Sequence, residues 1–187
     1  MAMVRKPRRF TLEQYHRMGE AGILDEDERV ELIEGEIVEM TPIGRAHASV
    51  VARITRLFSA RFAGEAIVWV QNPLVLPRQV SEFQPDLALL RPRPDFYRGK
   101  RVEPADALLV VEVMDSSVAH DRRVKLPIYA RARVPEVWLV DVNESTVELH
   151  REPTGAAYRD RRRVDRGGTM APLAFPDARL AVRDVVR

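Results

Sequence analysis

Pro85-Asp86-Leu87-Ala88-Leu89-Leu90 and Ala107-Leu108-Leu109-Val110-Val111-Glu112-Val113-Met114 are the two runs on which the fold turns. Each is a short apolar stretch with the length and composition of a buried strand. Each also carries one acid. Asp86 opens its run behind a proline, whereas Glu112 lies inside its run. Removing a lone carboxylate from water penalises its charged form by several kcal/mol. Two such acids on neighbouring strands repel each other unless a cation compensates. A divalent metal is one candidate. Lys125, in a predicted helix beyond Glu112, is the other.

Composition sets the bounds. At 187 residues, the chain is long enough for one domain with a substantial core. The expected division is a basic arm over residues 1–9 and a single domain over 10–187. A hydrophobic fraction of 45% and a charged fraction of 31% fit a globular protein. The net charge is only +2, so no strong basic field advertises a polyanionic partner. Lysine stands only at 6, 100 and 125, and arginine supplies the other basic side chains. Arginine suits phosphate contacts, and a coding bias explains the same excess. There is no cysteine, which removes disulfides, thiolate metal sites and a cysteine nucleophile. No apolar run approaches the ~20 residues that span a bilayer. The basic start has no apolar segment behind it, so no secretory signal is expected. The expected location is cytoplasmic, with no membrane partner.

Thr11-Leu12-Glu13-Gln14 is a capping-box pattern that predicts a helix to about Glu20, with Gly22 as its stop. Residues 29–34 alternate apolar and charged, Gly35 interrupts them, and 36–40 resume, which predicts a tight hairpin. Glu31 and Ile33 share one strand face, opposite Val30, Leu32 and Glu34. Over 45–62 the apolar positions Val50, Val51, Ile54, Leu57 and Phe58 follow a helical period. His47 lies in the first turn, either facing a site or partly exposed. Residues 66–70 predict a strand that Gln71-Asn72-Pro73 interrupts and 74–76 continue, followed by a polar loop over 78–84. Residues 91–106 form a long connection that mixes Arg91, Arg93, Arg98, Lys100 and Arg101 with Phe96 and Tyr97. That mixture suits single-strand or phosphate contacts, or a solvated loop.

After Asp115-Ser116-Ser117 a helix is predicted. Pro127 is tolerated only in a first turn, so the helix begins near Val124 or kinks there. Asp121 and Lys125 are spaced for a plain helix salt bridge. Residues 135–141 predict a buried strand ending in Asp141, and 146–150 and 156–158 predict further strands. The tail from 167 covers the sheet. The order predicts an α/β (α+β mixed) fold, a central mixed β-sheet flanked by helices.

Arg29-Val30-Glu31-Leu32-Ile33-Glu34-Gly35, the helix-opening His47, Pro85-Asp86 and Val111-Glu112-Val113-Met114-Asp115-Ser116-Ser117 form an ordered series of motifs. Asp121 with Lys125 and Tyr129 follows, and then Pro135-Glu136-Val137-Trp138-Leu139-Val140-Asp141. In order and spacing over residues 10–185, the series resembles the Uma-type family of "putative restriction endonucleases" in the PD-(D/E)XK nuclease superfamily. The resemblance implies a restriction-endonuclease-like core with a divalent-metal site. It makes Asp86 the acid of the PD motif, Glu112 the acid of the (D/E)XK motif and Glu31 the N-terminal acid. Met114 stands where the superfamily places its lysine. Lys125 is the replacement that the Uma-type pattern suggests.

Three readings follow. In the first, Asp86, Glu112 and the Val113 carbonyl hold Mg²⁺ or Mn²⁺, hard ions suited to oxygen ligands. Lys125 orients or deprotonates the attacking water or stabilises the transition state, Glu31 completes the shell, and the 91–101 arginines and the basic arm position phosphates. The partner is nucleic acid, DNA first, and cutting a duplex favours a homodimer. In the second, the chain is a catalytically inactive nucleic-acid-binding module. In the third, Glu112 simply pairs with Lys125 and Asp86 caps a strand. Relief of carboxylate repulsion would make Asp86→Asn and Glu112→Gln stabilising in the first reading, and the third expects the opposite. The chain has no zinc-peptidase spacing and no Gly-rich nucleotide loop, and Ser116, Ser117 and His120 lack the strand elbow of a serine hydrolase.

Overall fold

The computed structural model describes residues 8–25 and 28–186. The first part of the chain forms α1 (Leu12–Glu20), β1 (Val30–Ile33), β2 (Glu36–Glu39), α2 (Arg45–Arg61), β3 (Ile67–Val70), β4 (Leu74–Leu76), β5 (Ser81–Phe83) and β6 (Leu87–Leu90). The rest forms β7 (Ala107–Met114), α3 (Val118–His120), a π turn (Asp121–Lys125), α4 (Leu126–Arg131), β8 (Glu136–Asp141), β9 (Thr146–Thr154), β10 (Ala157–Val164), β11 (Thr169–Met170), β12 (Leu180–Ala181) and α5 (Val182–Val185).

The expected mixed sheet is present. Six strands run in the order β10-β9-β8-β7-β6-β3. β7 and β8 are parallel, joined by the helical crossover, while the other neighbours are antiparallel. Side chains alternate along each strand, so each face has its own core. Leu87, Leu89, Val111 and Val113 pack with Val50, Ile54 and Phe58 of α2 and with Val182 and Val185 of the tail. Ala88, Leu90, Val110 and Met114 face the other way, onto Ile128 and Tyr129 of α4 and Leu74 and Phe83 of a second sheet. That second sheet is antiparallel, in the order β2-β1-β5-β4, and α1 covers its outer side through Tyr15, Val30 and Leu32.

Local signals explain several elements. Thr11 and Gln14 make both bonds of the capping box. The β1–β2 hairpin turns on Glu34 and Gly35, both with positive φ, as a two-residue I′ turn requires. The π turn ends just before Pro127, which falls in the first turn of α4, where its missing N–H is harmless. Among the described residues no helix is long and apolar enough to cross a membrane.

Three expectations need correction. β4 does not continue β3. Gln71, at φ 49, and Pro73 redirect the chain into the second sheet. Residues 81–83 are a buried strand and not a loop. Their polar groups are satisfied, since the Ser81 hydroxyl bonds the Glu34 N–H and the Gln79 carbonyl, and Glu82 bonds His16. The 91–106 connection sits at the Leu90 and Ala107 end of its strands, about 13 Å from the Asp86 end. Two of its cations are tied to its own acids, Arg93 to Asp95 at 2.7 Å and Lys100 to Asp106 at 2.6 Å, and Arg91 bonds the Ala105 carbonyl. Of the basic arm, residues 1–7 lie outside the described residues. Arg8 stacks over Phe10, and Arg9 pairs with Glu36.

Candidate active site

The site lies in the crease between the two sheets, where β5 hands the chain to β6 through Gln84 and Asp86. Alternation turns Glu112 to the same face of the large sheet as Val110 and Met114. Asp86, immediately before β6, has the parity of Ala88 and Leu90. Glu31 comes from the second sheet, sharing its inner face with Ile33. Lys125 comes from the π turn. The four predicted side chains line one cleft of about 360 Å³, together with Val113, His47, Arg29 and Asp121. All four are buried, with Glu31 and Glu112 each 3% exposed, Lys125 5% and Asp86 9%.

Lys125 ties the sheets together. Its Nζ lies 2.9 Å from Glu31 Oε1 and 3.4 Å from Glu112 Oε1, and over the Phe83 ring. Glu31 Oε1 also accepts the Gln84 N–H at 2.7 Å. Tyr129 donates its hydroxyl to Glu112 Oε1 at 2.6 Å. Asp86 is anchored by three donors. Its Oδ2 accepts the Val113 N–H at 2.8 Å and lies 3.0 Å from His47 Nε2, and its Oδ1 accepts the Gln71 amide at 3.3 Å.

One lysine therefore faces several acids. Burial pushes the Glu112 carboxyl up to about 8. Lys125 opposes that rise, and Asp121, Asp86 and Glu31 reinforce it. Burial alone would lower the Lys125 pKa, but Glu112, Glu31 and Asp121 outweigh it, so the ammonium is held above its ordinary value. Burial lowers and Asp86 raises the affinity of His47 for a proton, with a net upward shift. Burial foremost, then Glu112, keeps the Tyr129 phenol protonated as a donor.

Sequence reasoning gave no role to Tyr129 or Gln71, and gave Asp121 only a helix salt bridge to Lys125. Asp121 makes no ion pair with Lys125 among the described residues. It accepts the Ser117 hydroxyl, and burial raises its pKa. The spacing of Asp121, Lys125 and Tyr129 at i, i+4 and i+8 was the available signal for one shared helix face. Gln71 had none, because its approach depends on the left-handed turn that leaves β3.

The chemistry of the donor set bears on a metal. Among the described residues, no three His, Cys, Asp or Glu side chains form a ready-made cage. Every side-chain hydrogen bond to Glu112 among them falls on Oε1, which leaves the lone pairs of Oε2 for a cation. An antiparallel strand residue presents its N–H and C=O on one edge. The Val113 N–H points at Asp86, so its carbonyl faces the same edge, beyond the end of β6. Two carboxylates and one carbonyl fit Mg²⁺ or Mn²⁺, since Mg²⁺ keeps several waters and takes one or two protein carboxylates. They would not fit zinc, which takes three or four nitrogen, sulfur or carboxylate ligands.

A family model described as "Putative restriction endonuclease" matches residues 12–183. A crystal structure of a "putative nuclease belonging to DUF820" from Anabaena variabilis is similar in fold, with a TM-score of 0.72 and 14% sequence identity, over 94% of this chain and 97% of that one. No curated protein matches.

Proposed function

The chain belongs to the Uma2 family, described as "Putative restriction endonuclease", and from that premise we propose that it hydrolyses nucleic-acid phosphodiester bonds at this cleft. The proposed substrate is DNA, the cofactor Mg²⁺ or Mn²⁺, and the working form a cytoplasmic homodimer, because cutting both strands calls for two sites. The observation that carries the reading is Lys125, buried and bonded at once to Glu31 of one sheet and Glu112 of the other. A structural ion pair needs neither a cleft nor several acids around one cation.

Asp86, Glu112 and the Val113 carbonyl would hold the ion. When bound, it would supply an acidified water and neutralise charge on the phosphate. The other roles belong to the chain. Glu112, Glu31 and Asp121 hold the Lys125 ammonium above its ordinary pKa, which favours stabilising developing negative charge over taking the proton from water. Glu31 fixes the ammonium. Tyr129 occupies Glu112 Oε1, which reserves Oε2 for the ligand side. Gln71 and the Val113 N–H hold Asp86 in place.

The second reading, a nucleic-acid-binding module without cleavage, is favoured by the lack of a ready-made cage among the described residues and by Met114 at the superfamily lysine position. Incubation of labelled DNA and RNA with Mg²⁺ or Mn²⁺ separates the two. Metal-dependent products are expected from the wild type, with a loss of about a hundredfold or more in Asp86→Asn and Lys125→Met. A wild type that leaves every substrate intact under both metals removes the nuclease reading.

A further inference from the structure

Residues 40–64 contain no aspartate or glutamate. Within them α2 carries Arg45, Arg53, Arg56 and Arg61 over 17 residues. Its buried stripe is Val50, Val51, Ile54 and Phe58. On the opposite stripe, at the helical period, stand Arg45, Ser49, Ala52, Arg56, Ser59 and Ala60, all exposed. None of the four arginines pairs with a carboxylate among the described residues. Several cations elsewhere on the surface do, as Arg93 does with Asp95, Arg131 with Glu34, Arg159 with Glu152 and Arg163 with Glu144. The α2 guanidiniums thus keep their full charge, and the small residues between them let a backbone approach closely. The helix also leads to the cleft. Gly44, its N-cap, and His47 line the cleft wall, and His47 touches Asp86.

We propose that the exposed face of α2 is the surface on which the sugar-phosphate backbone of a DNA duplex lies, leading one strand into the cleft. The proposal rests on the nuclease reading for the identity of the polyanion. Arg45 and Arg56 stand about 17 Å apart along the axis, roughly five phosphate steps of one strand. Guanidinium forks suit phosphate oxygens, and such contacts position a duplex without reading its sequence.

The test is fluorescence anisotropy of a labelled DNA duplex, without metal and across a salt series. The proteins are wild type, Arg56→Glu, the pair Arg45→Glu/Arg56→Glu and the control pair Arg159→Glu/Arg163→Glu on β10. All substituted residues are exposed, so melting temperatures should stay close to wild type. The α2 pair is expected to bind about tenfold or more weakly, with the salt slope reduced by about two, while the control stays within about twofold. Equal losses in both pairs, unchanged binding by the α2 pair, or no duplex binding by the wild type would overturn the proposal. So would displacement of the duplex by polyglutamate at equal charge, since that indicates an acidic-protein surface. A wild type that binds through α2 and cuts nothing keeps this surface and removes the nuclease reading. A wild type that cuts, with KM unchanged in the α2 pair, keeps the nuclease reading and removes this surface.

Discussion

Lys125 and Glu112 govern the site at the scale of single residues. With Glu31 taking the closer contact to the ammonium, Glu112 is the carboxylate in excess. Its proton affinity is higher folded, near pH 8, than at the ordinary 4.5. The stability this group contributes is therefore fully present below about pH 4.5 and is lost as pH rises through about 8. Thermal melting of the metal-free protein should show a falling Tm across that window, and Glu112→Gln should flatten the fall and melt higher at pH 8. Lys125→Met leaves Glu31 and Glu112 buried without their cation, and should cost about 3–5 kcal/mol in denaturant unfolding. Asp86 behaves differently, because it accepts from three donors. Asparagine would turn an amide N–H toward one of them, so Asp86→Asn should lower the metal-free Tm. The expectation that both acids destabilise the metal-free fold thus splits, for a reason that the strand pattern could not show. Sequence exposed Asp86 and Glu112 because each breaks an apolar context, Lys125 because lysine is rare in an arginine-rich chain, and Glu31 through the family resemblance. Their hydrogen-bond partners come from other elements and carried no such mark.

At the scale of elements, punctuation residues were the most legible and polar buried strands the least. Gly35 announces its hairpin, and its φ of 86 together with a Cβ position 2.9 Å from Arg9 Cβ and the Phe10 carbonyl makes Gly35→Ala destabilising. Val80 is the opposite case, a β-branched residue at φ 47 with its side chain toward solvent. Val80→Gly should relieve strain and raise stability by about 1 kcal/mol, read as a shift in the denaturant midpoint. β5 was hidden because Ser81 and Glu82 look solvated in sequence and are buried only by virtue of partners far along the chain. The π turn was half legible. Pro127 marked a break, but its placement of Lys125 between two sheets follows from tertiary packing.

For the whole molecule, the two sheets meet where the chain crosses between them, and the acids gather at that crease from both sides. The mixed sheet was legible from the alternation of strand and helix signals. The second sheet was not, because β3 and β4 read as one interrupted strand and only Gln71 and Pro73 part them. The central claim at this scale is that the crease binds a divalent ion through Asp86 and Glu112. Melting with and without Mn²⁺ tests it most directly, in wild type, Asp86→Asn and Glu112→Gln. At Mn²⁺ about a hundredfold above its Kd, the wild-type Tm should rise by about 5 °C or more, while neither variant responds. A wild type indifferent to Mn²⁺, or variants that gain as much as it does, would contradict the claim.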